Sequence, residues 1–281
     1  MLKVAVPNKG ALAEAAAQML SEAGYRQRRT SKDLVAVDAE NEVEFFYLRP
    51  RDIAIYVGAG TLDVGITGRD LLLDSEADAD EVMELGFAAS TFRFAAPEGG
   101  LASVAELEGK RVATSYSGIV RAYLERHGVT ADVVRLDGAV ETSIRLGVAD
   151  AIADVVETGT TLRQAGLAVF GDPILGSEAV LITPAAAPKP DAFGVFRRRI
   201  ESVLVARTYV MMDYDINADA MEQAIQLTPG IESPTVSQLH REGWVAVRSM
   251  VPRDGAQRIM DELYALGARG ILVTDIHACR I

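Results

Sequence analysis

Residues 141–162 read ETSIRLGVADAIADVVETGTTL and contain the residue types a sugar-phosphate site needs. The run 151–156, AIADVV, is short and apolar, the pattern of a buried strand, yet it carries one carboxylate, Asp154. Glu157-Thr158-Gly159-Thr160-Thr161 follows directly and opens a helix. At such a junction backbone N–H groups point at an anion, glycine lets the main chain come close, and threonine hydroxyls add donors. An acidic side chain just ahead can accept hydrogen bonds from sugar hydroxyls. The same residues also suit an ordinary strand-to-helix turn with a threonine N-cap, so local chemistry leaves both readings open.

Charged residues recur at other predicted strand ends. A strand at 2–6 leads through Pro7-Asn8-Lys9-Gly10 into an amphipathic helix at 11–23. A strand at 43–48 ends in Arg49-Pro50-Arg51-Asp52 before a helix at 53–57, and one at 63–67 ends in Gly68-Arg69-Asp70 before a helix from Leu71. In open α/β sheets ligands gather at the carboxyl ends of strands, and the planar arginine fork suits phosphate. Any one of these residues alone reads as a solvated charge or a turn residue; repetition at three ends points to a shared site. Ser115-Tyr116-Ser117-Gly118 is a further small-residue loop, between a strand at 111–114 and a helix at 119–127. Tyr116 there is a candidate stacking or hydroxyl contact, or a partly buried structural tyrosine.

These loops need an α/β scaffold. Strands at 82–87 and 91–96 are expected to join two lobes, with a strand at 132–136 and return strands at 167–170 and 179–182. Residues 183–190, TPAAAPKP, read as a connector, followed by a helix at 191–207 whose Arg197-Arg198-Arg199 suits a solvated or inter-subunit face. From 208 the pattern becomes strand 209–214, helix 218–227, strands 235–239 and 244–250, helix 256–266 and strand 270–275. That is the βαββαβ order of a ferredoxin-like domain. The expected division is 1–90 with 184–207 as a first lobe, 91–183 as a second, and 208–281 as a C-terminal domain.

The chain has 281 residues and a formal net charge of −12, which argues against nucleic-acid or anionic-membrane binding but not against small anions held by local cations. Its single cysteine, Cys279, excludes an intrachain disulfide, and its three histidines lack metal-ligand spacing. No signal-peptide pattern and no apolar run of transmembrane length is present, so a soluble, cytoplasmic protein is expected.

Glu141, Gly147, Asp154, Thr158-Gly159 and Thr161-Leu162 together resemble the signature of the ATP phosphoribosyltransferase family, with aliphatic-x-Asp followed by [ST]-G-x-T-[LM]. LKVAVPNKG at 2–10, FFYLRPRDIAIYV at 45–57 and DVGITGRDL at 63–71 are similar to the same family, and the resemblance extends over essentially the whole chain. It is closest to the long, actinobacterial, histidine-regulated form. The resemblance implies a two-lobed, periplasmic-binding-protein-like catalytic part with a ferredoxin-like regulatory domain. It implies attack of the adenine N1 of ATP on C1 of phosphoribosyl pyrophosphate, release of pyrophosphate, and Mg²⁺ as cofactor. It also implies inhibition by histidine and by AMP, and a homo-hexamer in equilibrium with a dimer.

On that resemblance Thr158, Gly159, Thr160 and Thr161 cradle the 5-phosphate, and Asp154, with Glu141, holds the ribose hydroxyls near the developing positive charge. Lys9, Arg49 and Arg51 meet phosphates, Asp70 and Leu71 face adenosine, and Tyr116 contacts the base. The C-terminal domain would bind histidine through Asp215, Ser233 and Thr235, with Ile231, Met250 and Gly270 as lining; Gly270 stands where alanine is expected. No metal ligand and no general base stand out, and N1 of adenine already has a free lone pair. The competing readings are a two-lobed small-molecule sensor or solute-binding protein without catalysis, or an amino-acid sensor resting on the last 75 residues alone. Neither has use for a sugar-pyrophosphate loop.

Overall fold

The computed structural model describes residues 1–280 apart from 28, 29, 31, 157, 158 and 187. The chain divides into two compact units, Met1–Gln18 with Arg26–Phe193, and Met19–Tyr25 with Gly194–Ile281.

The first unit opens with β1 (Leu2–Pro7), α1 (Ala11–Glu22, which continues into the second unit), β2 (Val35–Asp38), β3 (Val43–Leu48), α2 (Pro50–Gly58), β4 (Val64–Gly68), α3 (Arg69–Ser75) and β5 (Ala79–Glu84). There follow β6 (Ser90–Pro97), a 3-10 turn at Val104–Leu107, β7 (Arg111–Thr114), α4 (Ser117–Arg126), β8 (Asp132–Arg135), α5 (Thr142–Arg145), β9 (Ala151–Val156), α6 (Thr160–Gln164), β10 (Leu167–Ser177) and β11 (Ala179–Pro184). These strands form two sheets, β2-β3-β1-β4-β11-β5 and β10-β6-β9-β7-β8. Each is the core of one α/β lobe, and the chain crosses between them twice, at 85–89 and at Glu178.

Burial explains the order of the first sheet. β4 and β11 are buried at every position and β1 at all but one, as strands covered on both faces must be, whereas β3 alternates. Gly65 in β4 lets α2 lie close, since a Cβ there would meet Ile53 Cγ2 at 2.6 Å and Val57 Cγ2 at 2.9 Å. The six apolar or small residues of β11 carry it into this sheet, antiparallel to β4 and β5. Residues 179–183, expected with the second lobe, therefore belong to the first. The strand expected at 82–87 as a lobe connection is instead the edge strand β5, and β2 completes the other edge without a clear sequence signal. In the second sheet, Phe92, Phe94, Val120, Ala151 and Ala153 form the centre of one face's core.

The second unit continues with α7 (Asp191–Thr208, from Gly194 on), β12 (Tyr209–Asn217), α8 (Met221–Leu227), β13 (Thr235–Gln238), β14 (Trp244–Pro252), α9 (Ala256–Ala265) and β15 (Arg269–Asp275). Its antiparallel sheet runs β13-β14-β12-β15, the ferredoxin-like order expected from the sequence. Val210, Met212, Tyr214, Val247, Val251, Ile259 and Leu263 form its core. Here α7 from Gly194 accompanies the C-terminal unit, a different division from the 184–207 expected for the first lobe.

Candidate active site

β9 runs along the inside of the second sheet and changes character at Asp154. Ala151, Ile152 and Ala153 are buried, while Asp154, Val155 and Val156 are half-buried and open onto a cavity of about 250 Å³. That cavity is lined by Glu141, Asp154, Gly159, Thr160 and Thr161, so the structure brings together the stretch singled out by sequence. Thr158 lies outside the described residues. The N-cap of α6 is Gly159, at φ 68°, a left-handed conformation that glycine adopts without strain. The N-cap position is thus a glycine, and Thr160 and Thr161 occupy the first helical positions, exposed, where N–H groups have no intrahelical acceptor.

The Val155 N–H donates to Asp154 Oδ1 at 2.8 Å. Burial pushes the Asp154 carboxyl above its ordinary pKa; the Val155 N–H opposes this, and the Glu141 and Asp70 carboxylates add to it. An anion held under these conditions is poised to respond to positive charge developing nearby.

A second cavity, of about 360 Å³, adjoins the first through Val155, which lines both. Lys9, Asp70, Leu71, Tyr116 and Ser177 are in its wall. Lys9 reaches it from the exposed loop between β1 and α1. Asp70 is buried and fixed from two sides: its N–H donates to Ser177 Oγ at 3.0 Å, and the Ser177 hydroxyl donates to Asp70 Oδ1 at 2.9 Å. Gly68 leaves the space this carboxylate needs, because a Cβ there would stand 2.3 Å from Asp70 Oδ1. Tyr116 packs edge-on against Phe92, with ring centroids 5.1 Å apart. Burial, reinforced by the neighbouring Asp70 carboxylate, pushes its phenol far up, so at neutral pH it is an O–H donor.

The cationic strand ends do not all converge. Arg49 is exposed at the N-cap of α2 and lines neither cavity. Arg51 pairs with Asp74 at 2.6 Å and lies 4.8 Å from the centroid of the Tyr116 ring. Arg69 is held by Glu81 at 2.6 Å and Glu84 at 2.7 Å, with Glu178 at 3.8 Å, and its guanidinium is raised chiefly by the Glu81 hydrogen bond. It ties the first sheet to its crossing and lines neither cavity. Ser177 and Asp74 escape a sequence reading, since their partners lie 107 and 44 residues away.

In the C-terminal unit, the sheet face opposite α8 and α9 carries a cavity of about 560 Å³ lined by Asp213, Asp215, Thr235, Ser237, Arg248 and Gly270, among others. Asp215, Thr235 and Gly270 thus meet. Ile231, Ser233 and Met250 do not line it: Ser233 is exposed, and Met250 Sδ lies 3.9 Å from Cys279 Sγ. Gly270 sits at φ 60°, where the alanine expected there would be strained.

Comparison with known proteins agrees with this architecture. The model of the family described as ATP phosphoribosyltransferase matches residues 49–205, and that of the HisG C-terminal domain matches residues 206–278. The ATP phosphoribosyltransferases of Pseudarthrobacter chlorophenolicus and Streptomyces avermitilis are 67% and 64% identical to this chain, each over the full length of both proteins. Among solved structures, the ATP phosphoribosyl transferase (HisG:HisZ) complex from Thermotoga maritima matches 72% of this chain and 97% of its own, with TM-score 0.63 and 27% identity. The matched models and the full-length relatives show that this chain belongs to the ATP phosphoribosyltransferase family.

Proposed function

We propose that this chain joins ATP to phosphoribosyl pyrophosphate across the two adjoining cavities. The adenine N1 lone pair forms a bond to C1 of the ribose. The C1–O bond breaks, and pyrophosphate leaves with that electron pair, giving N1-(5-phosphoribosyl)-ATP. The observation that carries this reading is the meeting at Val155 of one cavity edged by Asp154, Thr160 and Thr161 with another edged by Lys9, Asp70 and Tyr116.

In this assignment Thr160, Thr161 and the first N–H groups of α6 hold the 5-phosphate, with Thr158 as a further donor. Asp154 accepts from the ribose hydroxyls and offsets the positive charge growing on the ring; Glu141, which lines the same cavity, supports it. Lys9 meets the ATP phosphates, Asp70 and Leu71 face the adenosine, and the Tyr116 O–H and ring bound the base. Holding two polyanions in line supplies much of the rate through orientation. No general base is needed for the first step.

Mg²⁺ fits as an ion carried on the substrate. Among the described residues no group of three or more His, Cys, Asp or Glu could cage a metal, and Mg²⁺ commonly binds through one or two carboxylates plus substrate phosphates. Asp154 and Glu141 are the carboxylates of that cavity. When bound, the ion would neutralise the leaving pyrophosphate.

Histidine is the proposed effector of the C-terminal cavity, its ammonium or imidazole meeting Asp215 and its remaining polar groups meeting Thr235. AMP would inhibit by occupying the ATP side. A homo-hexamer exchanging with a dimer and a cytoplasmic location complete the proposal. Among the described residues no helix is long and apolar enough to cross a membrane.

The deciding assay mixes protein, both substrates and Mg²⁺ with pyrophosphatase, and follows the ultraviolet absorbance of N1-substituted adenine. Signal should require both substrates; its absence sinks the reaction and favours a sensor. Asp215→Ala should keep turnover and lose histidine inhibition, measured in the same assay. Unchanged inhibition would move the effector elsewhere.

A further inference from the structure

α4 in the second lobe begins without a cap of its own: Tyr116 is its N-cap residue and makes no capping hydrogen bond through its side chain. The cap comes from the other lobe. The Gly118 N–H donates to Asp74 Oδ1 at 2.9 Å and the Ile119 N–H points at the same oxygen at 3.4 Å, so Asp74 of α3 does for α4 what a local Ser or Asp ordinarily does. A carboxylate is also favoured there by the helix dipole. Its other oxygen, Oδ2, accepts from Arg51 Nη1 at 2.6 Å. The Asp74 side chain is only 7% exposed and the Arg51 side chain 32%. Gly118 makes the approach possible, because a Cβ on it would lie 2.9 Å from the Asp74 carbonyl oxygen.

One carboxylate therefore touches three elements: its own α3, Arg51 on α2 and the start of α4. Tyr116 stands at that start, with the Arg51 guanidinium across its ring and Asp70, four residues before Asp74, beside its hydroxyl. The cavity around Asp70 has walls from both lobes, Lys9, Asp70 and Leu71 from one and Tyr116 and Val155 from the other. The cavity around Asp154 is built from 141–162 alone. Whatever sets the lobes together shapes the first cavity and not the second.

We propose that Asp74 is a positioning residue that latches α3 onto the N-terminus of α4 and, through Arg51 against the Tyr116 ring, holds Tyr116 in the wall of the Asp70 cavity. The proposal rests on the reading that this cavity takes ATP. Asp74 thereby governs ATP recognition and leaves phosphoribosyl pyrophosphate binding alone, although it lines neither cavity.

Steady-state kinetics and calorimetric ATP binding test it in Asp74→Ala, Asp74→Asn and Gly118→Ala. Asp74→Ala should raise KM and Kd for ATP at least tenfold while KM for phosphoribosyl pyrophosphate moves less than twofold. Asp74→Asn, which keeps an acceptor for Gly118 but no charge for Arg51, should fall between. Gly118→Ala alters no cavity residue and improves helix propensity, yet its methyl must push Asp74 away; it should reproduce the ATP defect. That variant also keeps the test decisive if Asp74→Ala does not fold. Equal losses for both substrates, or ATP binding within twofold of wild type in Gly118→Ala, would overturn the latch. Calorimetry needs no turnover, so if the wild-type protein binds ATP but forms no product, the proposed reaction fails while the ATP Kd of the three variants still supports or overturns the latch.

Discussion

The cavity around Asp154 takes its wall from one continuous stretch, 141–162, whereas the cavity around Asp70 is assembled from segments between Lys9 and Glu178. In the first, a strand end, a left-handed glycine and a helix start follow one another along the chain, so each group's position is set by its neighbours in sequence. In the second, Asp70 is held by Ser177, while Tyr116 stands beside Arg51 and Asp70; each partner arrives from another element. Damage to the first should act on one substrate and on chemistry. Damage to the second should act on the other substrate through the packing of two lobes.

The largest test of that contrast is Asp154→Ala, expected to lower kcat by about 10²–10³-fold, the range for removing one preorganised electrostatic group. Thr161→Val should raise KM for phosphoribosyl pyrophosphate by about tenfold, as loss of a hydrogen bond to a charged group does. Both proteins should keep wild-type circular dichroism. Wild-type kcat in Asp154→Ala together with wild-type KM for phosphoribosyl pyrophosphate in Thr161→Val would remove the site from 141–162.

A smaller effect is expected from Ser177→Ala. It frees the Asp70 carboxylate on one side and should raise KM for ATP by about fivefold, the scale of one hydrogen bond, with phosphoribosyl pyrophosphate unaffected. A matching change for both substrates would show that the two cavities are not separable as described.

The smallest concerns stability. The folded-state pKa of Asp154 is raised above its ordinary 3.8, so the folded protein holds this proton to higher pH than the unfolded chain does. Stability from this group is present below pH 3.8 and is lost as pH rises through the folded value. Near neutral pH the ionised carboxylate therefore costs stability. Asp154→Asn should raise Tm at pH 7 by about a few degrees while turnover falls, and the gain in Tm should vanish as the pH approaches 3.8. A lower Tm at pH 7, measured by calorimetry, would contradict the burial argument.

The same contrast separates what was readable in the chain from what was not. β9, Gly159 and the threonines were legible because period, glycine and small hydroxyl residues act locally. The ferredoxin-like order was legible for the same reason: β12 and β14 alternate between core and open face, which a single strand's sequence records. Charge at a strand end was a weaker guide. Arg49, Arg51 and Arg69 look alike in sequence, yet one faces solvent, one pairs with Asp74 and one is taken by three glutamates. Which anion an arginine meets depends on which segments lie within reach, and no local signal carries that. The place of β11 in the first sheet, and of Ile231, Ser233 and Met250 outside the C-terminal cavity, depended on the same kind of long-range choice.

By itself, then, the chain of residues determined the α/β and ferredoxin-like elements, the family, and the Asp154 cavity, because backbone geometry and hydrophobic period propagate over a few residues. The tertiary structure alone decided how the Asp70 cavity is held together, through Ser177 across 107 residues and Asp74 across 44. Those contacts exist only once buried strands such as β11 have found their sheet and brought distant polar groups to within hydrogen-bonding distance, where burial leaves them no partner but each other.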